Sequence, residues 1–388
     1  MKCVYCGNNP IPHSFTKLSD SLNLLNLPVM ALGTSRLGRN VEWLLIKLLP
    51  YLVGLADAIG LIRLSNDIEK ANTGRSQVIW EEAKRRGIRM EQITFFGRYL
   101  DLYRATLPNG KMIVFESLPI PLRKQTKAIN WLDNKLKLKK NLRKASIPAP
   151  AGEKFTSFNP MSKYFQTLRK PVIIKPALGS RGRHTTTFIY TEDQLKQAYD
   201  IGKQIAHTLV MEEHLIGSVY RGTVIDGKIV GVLRGDPPRI TGNGRSTISE
   251  LIKIKNQNRH PRVKEFVATP LTKEFLARNQ LTLESVLPSG KCIDLTEKIG
   301  VSYGGFAVEE LPICHPKIKD TLERAGQAVG FPIIGFDFII EDVTQDPDNQ
   351  NWGIIEANSL PFIDLHHHPV EGEPINVAAI VWDWWTEY

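Results

Sequence analysis

Asp337 and Glu356 are the residues whose surroundings most invite a chemical reading. Each sits inside an apolar run of the segment FPIIGFDFIIEDVTQDPDNQNWGIIEAN, Phe331 to Asn358. A strand sends successive side chains to opposite faces, so Gly335, Asp337 and Ile339 share one face of the first run while Phe336 and Phe338 take the other. The same period of two groups Ile354, Glu356 and Asn358 in the second run. If the polar loop Asp346 to Asn351 turns the chain back, the two carboxylates become neighbours. At about 4.5 Å and an effective dielectric near 20 they would repel by roughly 4 kcal/mol. A shared proton would offset this, and so would a divalent cation with oxygen ligands. Mg²⁺ keeps waters and accepts substrate phosphates as further ligands, and the Asn358 side chain adds a neutral oxygen. The structural alternative leaves Asp337 at a strand edge and pairs Glu356 with one of the many lysines or arginines.

A second constellation is basic. The strand-like run Pro171 to Pro176 ends at Lys175, and the next residues, ALGSRGRH from Ala177 to His184, lead into another strand through Tyr190. Between two strands, a glycine-rich loop lets backbone N–H groups approach phosphate oxygens with no Cβ in the way. It is not a P-loop, because no Gly-Lys-Ser/Thr follows and no helix opens there; a plain surface turn is the alternative. The net charge of +10 is concentrated upstream of this loop. Between Pro121 and Ser146 nine Lys or Arg, among them Lys135 and Lys139, stand against Asp133 alone. Such a run favours an anionic partner, although a solvated helix face has the same composition.

The elements that would position these groups follow from the pattern. A chain of 388 residues suggests two or three domains. The run Arg75 to Gly87 reads as a helix with a basic last turn and a terminal glycine. Strand-like runs at Gln92 to Phe96 and Lys111 to Phe115, with Asn109-Gly110 as a turn, complete an α/β N-terminal region. Trp131 to Lys144 reads as one helix stopped by the prolines of IPAP, and Glu192 to Ile205 as another. Strands follow at Val219 to Ile225 and Lys228 to Leu233, with Arg234 at the end of the second, then helices at Ser249 to Asn258 and Thr272 to Ser285. Trp43 to Ile62 is long enough to span a membrane but contains Lys47, Pro50 and Asp57. With each interior charge costing roughly 2.5 to 3.5 kcal/mol on insertion, it reads as a buried or interfacial helix. No cleavable signal pattern follows Met1, so a cytoplasmic location is expected. Cys3-Val-Tyr-Cys6 is half of a zinc site that no second pair at ligand spacing completes, although His13 lies close, and it reads as a reduced pair without structural weight.

Taken in order, the lysine-rich helix, IPAP, IIKP with its glycine loop, MEEHLIG, the late Asp337 and Glu-x-Asn at Glu356 resemble the ATP-grasp superfamily. RGDPPRITGNGRSTISELI (Arg234 to Ile252), VSYGGFA (Val301 to Ala307) and EANSLPFIDLHHHPVEGEPINVAAIVWDW (Glu356 to Trp384) look most like the ATP-grasp portion of cyanophycin synthetase and related peptide-forming ligases. The resemblance covers about residues 125 to 388. It implies an α+β fold of two lobes gripping ATP between antiparallel sheets, a small lobe over 125–215 and a large lobe over 216–388; the N-terminal α/β domain over 1–124, of unclear role, precedes it. It implies Lys139 and Lys175 as phosphate-binding lysines and Gly179, Ser180 and Gly182 as the phosphate loop. Glu212 and Leu215 become the adenine hinge, and Asp337, Glu356 and Asn358 the ligands of Mg²⁺ or Mn²⁺. Arg234 matches the arginine that steadies an acyl phosphate, with Arg221 the weaker candidate. Three departures bear on specificity: Val219 replaces a carboxylate expected at the ribose, and Phe362 and Asp364 replace a small and a basic residue. His366 keeps a matching position, although the run His366 to His368 could equally be an exposed loop.

The resemblance further implies an amide-forming reaction of a small carboxylate with an amine, on an amino acid or short peptide, driven by ATP through an acyl phosphate. No membrane or nucleic-acid partner is expected, and a homo-oligomer follows by analogy. Two rival readings stay open: an ATP-grasp kinase, and a polyanion-binding protein using Pro121 to Ser146 and the CxxC pair.

Overall fold

The structure is a computed structural model that describes residues 3–6, 11–14, 16–17, 48–120, 129–132, 134–177 and 183–386. Its first sheet runs in sequence order through β1 (Arg63–Ser65), β2 (Arg89–Phe95), β3 (Arg98–Thr106) and β4 (Met112–Glu116). Helix Gly74–Arg85 precedes β2; the Thr73 side chain caps it by accepting from the Ser76 N–H, and Gly87, at φ +69°, closes it. Where an α/β arrangement is expected from the sequence, every pairing in this sheet is antiparallel. The turns at Phe96-Gly97 and Asn109-Gly110 are far too short for parallel crossovers. The run Trp43 to Ile62 is helical over 48–58. It is not buried: Leu48, Tyr51, Leu52, Leu55 and Ile59 are exposed. Among the described residues no helix is long and apolar enough to cross a membrane.

The stretch expected as one helix from Trp131 to Lys144 is two, Ile129–Leu132 and Lys135–Lys144. Asn134 explains the break, because its side chain caps the second helix by accepting from the Lys137 N–H at 3.1 Å. The small sheet follows, with β5 (Gly152–Phe155), β6 (Val172–Pro176), β7 (Thr186–Ile189) and β8 (Leu209–Glu213) in the order β5-β8-β6-β7, all antiparallel. Helices Phe158–Thr167 and Glu192–Lys203 supply Met161, Phe165, Leu195 and Ala198 to a core that is completed by Val172, Ile174 and Met211.

The large sheet is built from β9 (Ser218–Ile225), β10 (Lys228–Asp236), β13 (Phe306–Glu309), β14 (Ile333–Ile340) and β15 (Gly353–Asn358), in the order β13-β10-β9-β14-β15. Helix Pro316–Val329 covers one face so closely that a Cβ on Gly222 would lie 2.7 Å from Leu322 Cδ1. Between β10 and β13 the chain leaves to form a ribbon, β11 (Arg239–Thr241) and β12 (Cys292–Asp294), with helices Ile248–Gln257 and Pro270–Arg278 and its own core around Ile248, Leu276 and Leu295. The second of these helices is shorter than the expected Thr272 to Ser285; it stops at Asn279, and Thr282 and Ser285 form a hydrogen-bonded turn. The N-terminal sheet shares its core with the large lobe. Trp382 on the C-terminal helix Val377–Thr386 donates its indole N–H to the Ile79 carbonyl at 2.9 Å and packs edge-on against Phe115.

Candidate active site

Three side chains from three elements meet between the lobes. Lys139 on helix Lys135–Lys144 places Nζ 2.5 Å from Glu212 Oε1, and Lys175 on β6 places Nζ 2.6 Å from Glu212 Oε2. Lys139 and Glu212 are each 1% exposed. Burial raises the Glu212 carboxyl, but the two ammonium groups outweigh it and hold the pKa below the ordinary value. Burial, reinforced by Lys175, pulls Lys139 from 10.5 down to about 7. Burial and the Lys175 charge likewise lower His214 to about 4, which leaves its ring neutral against Phe188. Leu215, the other expected hinge residue, is buried directly beyond β8. Gly179, Ser180 and Gly182 lie outside the described residues.

A row of charge crosses the large sheet. Asp337 pairs with Arg221 across β14 and β9 and with Glu356 across β14 and β15. Opposite residues in an antiparallel pair project to the same face, with Cβ atoms about 4.5–5.5 Å apart, so the expected carboxylate pair is formed. Its register has one irregularity: a bulge at Ile355 places Phe338 opposite Ile354. The bulge shifts the phase, so Ile354 and Ala357 both enter the core while Glu356 and Asn358 face the row, and the expected grouping of Ile354 with Glu356 does not hold. Arg221 forks onto Asp337, Nε to Oδ1 at 2.8 Å and Nη2 to Oδ2 at 3.1 Å, and Asn358 Nδ2 lies 3.4 Å from Asp337 Oδ2. Burial alone would lower the Arg221 pKa, but Asp337 raises it above its usual value. Glu356, whose side chain is 42% exposed, has Lys135 Nζ 3.7 Å from Oε1. Asp337 and Glu356 offer carboxylate oxygens, and the Asn358 amide, whose nitrogen here faces Asp337, carries a neutral one, donors that suit a hard divalent cation.

Helix Lys135–Lys144 joins the two clusters. Lys135 and Lys139 stand one turn apart, at about 5–6 Å, and one reaches Glu356 while the other reaches Glu212. The line Glu356, Lys135, Lys139, Glu212, Lys175 therefore runs from the large sheet to the small one.

Arg234 is not brought to this site. Its cross-strand partner on β9 is Tyr220, and Tyr220 stacks on Phe338 with ring centroids 5.3 Å apart, so Arg234 belongs to the face opposite Arg221 and Asp337. There it is held by Asp236 at 2.9 Å and by Glu310. The site-facing neighbours on β10 are Leu233, paired with Arg221, and Gly235, paired with Val219. Sequence spacing cannot resolve this, because a single-residue bulge between Ile229 and Gly231 sets which residues of β10 face the site.

The remaining wall comes from residues beyond β15. His366 is buried and not in an exposed loop, with Nδ1 2.5 Å from Glu309 Oε2 and Nε2 2.7 Å from Thr223 Oγ1. Phe362 lies beneath two guanidinium groups, Arg75 at 5.1 Å and Arg221 at 5.8 Å. Asp364 is pushed up by burial and its Oδ1 has no hydrogen-bond partner among the described residues. It opens on a cavity of ≈ 300 Å³ shared with Gly74, Gln77, Arg262 and His368. The sequence gives no signal for Arg75, which arrives on an N-terminal helix and donates to the Leu360 carbonyl.

Two antiparallel sheets closing on a cleft that a lysine-bearing helix spans give the chain the ATP-grasp fold. The solved bifunctional glutathione synthetase from Pasteurella multocida superposes with a TM-score of 0.55 at 21% identity, over 82% of this chain and 45% of that one. Cyanophycin synthetase of Trichormus variabilis is 31% identical over 252 residues, 63% of this chain and 28% of that protein. The glutathione biosynthesis bifunctional protein GshAB of Clostridium perfringens is 31% identical over 253 residues, 62% of this chain and 32% of that one. The chain therefore spans about a third or less of the length of these two curated relatives. No family model matches it.

Proposed function

We propose that the chain is an ATP-dependent carboxylate-amine ligase that forms an amide or peptide bond through an acyl phosphate, with an amino acid or short peptide as substrate. The observation that carries this reading is the line of charged groups from Glu356 through Lys135, Lys139 and Glu212 to Lys175. On this reading the oxygen donors for a metal ion would lie at one end of that line and two ammonium groups for phosphate at the other, with helix Lys135–Lys144 between them. Each end suits one part of a magnesium nucleotide.

Lys139 and Lys175 would present point charges to phosphate oxygens. Glu212 keeps acceptor lone pairs beyond its two lysine contacts and, with the Leu215 backbone, would receive the adenine amino group. Asp337, Glu356 and Asn358 would hold Mg²⁺ or Mn²⁺, which when bound neutralises negative charge on the transferring phosphoryl group. A substrate carboxylate oxygen attacks the γ-phosphorus and the bond to the ADP oxygen breaks. An amine then attacks the acyl carbon, phosphate leaves, and the amine gives up a proton. Arg221 lies on the site-facing side of the sheet, where it can stabilise the phosphoryl oxygens once a metal replaces it at Asp337. The cavity beside Asp364 and Arg262 offers one anion and one cation, the complement of an amino acid's ammonium and carboxylate groups.

Phosphate release with ATP and Mg²⁺, measured against amino acids and dipeptides singly and in pairs, tests this. Release should require a carboxylate, and added hydroxylamine should yield a hydroxamate. ATP consumption with a phosphorylated alcohol and no hydroxamate would make the chain a kinase instead.

A further inference from the structure

The N-terminal cysteine pair, which the sequence leaves as half of a site, acquires two more donors in the fold. Cys6 Sγ lies 3.2 Å from His13 Nε2 and 3.4 Å from His184 Nε2, and Cys3 Sγ lies 3.5 Å from the same His184 nitrogen. All four ligand atoms fall within 4.8 Å of one another. Zn–S and Zn–N bonds of about 2.3 and 2.0–2.1 Å in a tetrahedron give an S···N edge of about 3.6 Å. The donors therefore stand nearly where a single ion would hold them.

The surroundings are built for ligation. His184 Nδ1 lies 2.8 Å from the Ile201 carbonyl, a contact that fixes the N–H on Nδ1 and leaves the Nε2 lone pair facing the sulfurs. The Cys6 N–H donates to the Cys3 carbonyl at 3.2 Å, closing the tight turn of the CxxC, and the Ile11 N–H points at the Cys6 sulfur. His184 holds φ +52°, a left-handed conformation uncommon outside glycine, and its N–H donates to the Tyr5 carbonyl at 3.3 Å. Cys6 and His184 are 1% and 2% exposed, so the site is closed to solvent on that side. Two soft thiolates and two imidazoles select zinc over magnesium or calcium, and two thiolate charges balance one divalent ion.

We propose that Cys3, Cys6, His13 and His184 form a structural four-coordinate zinc site that fastens the N-terminal segment to the small lobe. The attachment point immediately follows the glycine-rich segment, at the start of the turn into β7. The site is closed, with four protein ligands and no position for a reacting water, so its role is to hold chain and not to catalyse. Nothing in it depends on the ligase reading, and its test reads metal directly.

The full chain, purified under reductant without added metal, should carry about one zinc per chain by elemental analysis. Replacing zinc with Co²⁺ should give a thiolate-to-cobalt charge-transfer band together with the intense visible bands of a tetrahedral centre. Losing an outer partner of a metal ligand typically costs 10–100-fold in affinity. Cys3→Ser removes a ligand itself and should weaken metal binding by at least about 100-fold. Cys3 is only half-buried, so this variant should stay folded, and circular dichroism confirms that before metal is measured. Cys292→Ser, at an exposed cysteine outside the cluster, should keep the metal. Zinc below about a tenth per chain with no cobalt charge-transfer band would overturn the proposal. So would a metal-free Cys3–Cys6 disulfide in freshly prepared protein, or a Cys3→Ser variant that binds zinc as tightly as the parent.

Discussion

The lysine cluster and the carboxylate row sit at the two ends of one helix face and are built on opposite principles. At Glu212 one buried carboxylate is shared by two ammonium groups, leaving an excess of positive charge in a site closed to water. At Asp337 and Glu356 two carboxylates are each matched to a cation from another element, Arg221 and Lys135, and Glu356 is open to solvent. The first is preformed for an anion and has little freedom to rearrange. In the second, the cations sit where an incoming metal ion can take over their charge. Burial accounts for the difference between Glu212 and Glu356: a dry pair is costly to separate, whereas the pair of Lys135 with the half-exposed Glu356 exchanges partners at little cost.

Glu212→Gln should show the largest effect, because it strands two ammonium groups without their counter-ion. Removing one partner of a buried ion pair typically costs about 3–5 kcal/mol, and denaturant unfolding should register a loss of that order. Glu356→Gln should leave stability nearly unchanged, since the side chain is half-exposed, while lowering phosphate release by about 10²–10³-fold, the usual loss when one transition-state contact is removed. If Glu356→Gln instead unfolds the protein and Glu212→Gln does not, the contrast between a rigid and an exchangeable cluster is wrong.

Lys175→Ala sharpens the same contrast on the nucleotide side. A hydrogen bond to a charged group contributes about 1.5–3 kcal/mol, so the Kd for ATP should rise by about 10–150-fold, with smaller changes in the Kd for the amino-acid substrate. The protonation of Lys139 adds a pH signature. Its folded pKa of about 7 lies below its ordinary 10.5, so the unfolded chain binds more protons between those values. This group's contribution therefore makes stability rise with pH across that window and fall as pH drops to 7. Phosphate favours the ammonium form, so ATP binding near pH 8 should take up a proton and weaken several-fold by pH 9. Calorimetry in buffers of differing ionisation heat measures that uptake.

The carboxylate pair was legible because period-two alternation is local: Asp337 between Phe336 and Phe338 needs no knowledge of distant chain. Lys139, Lys175 and Glu212 were legible only through motif order, since three elements separated in sequence bring them together. Three features lay beyond either signal. The Ile355 bulge turns Glu356 against the simple alternation. Arg75 reaches the site through docking of the N-terminal sheet onto the C-terminal helix, a long-range packing event with no local mark. His184 joins cysteines 178 and 181 positions away, which no spacing rule anticipates.

The smallest expected effect concerns the two arginines that sequence order ranks in the opposite sense. Arg221 and Arg234 lie on adjacent strands, yet Arg221 shares a row with Asp337 and Arg234 shares one with Tyr220 and Phe338. Arg234→Lys keeps the positive charge that Asp236 and Glu310 require, so it should fold normally and change phosphate release by less than about threefold, within the ±0.5 kcal/mol typical of changes remote from a site. Arg221→Lys loses a planar fork that no ammonium can reproduce. Its larger effect should appear in kcat, with the KM for ATP less altered, because the guanidinium lies beside Asp337, where the proposed reaction would place the transferring group. Equal losses in the two variants would mean that the large sheet presents Arg234 to the substrate in a conformation other than this one.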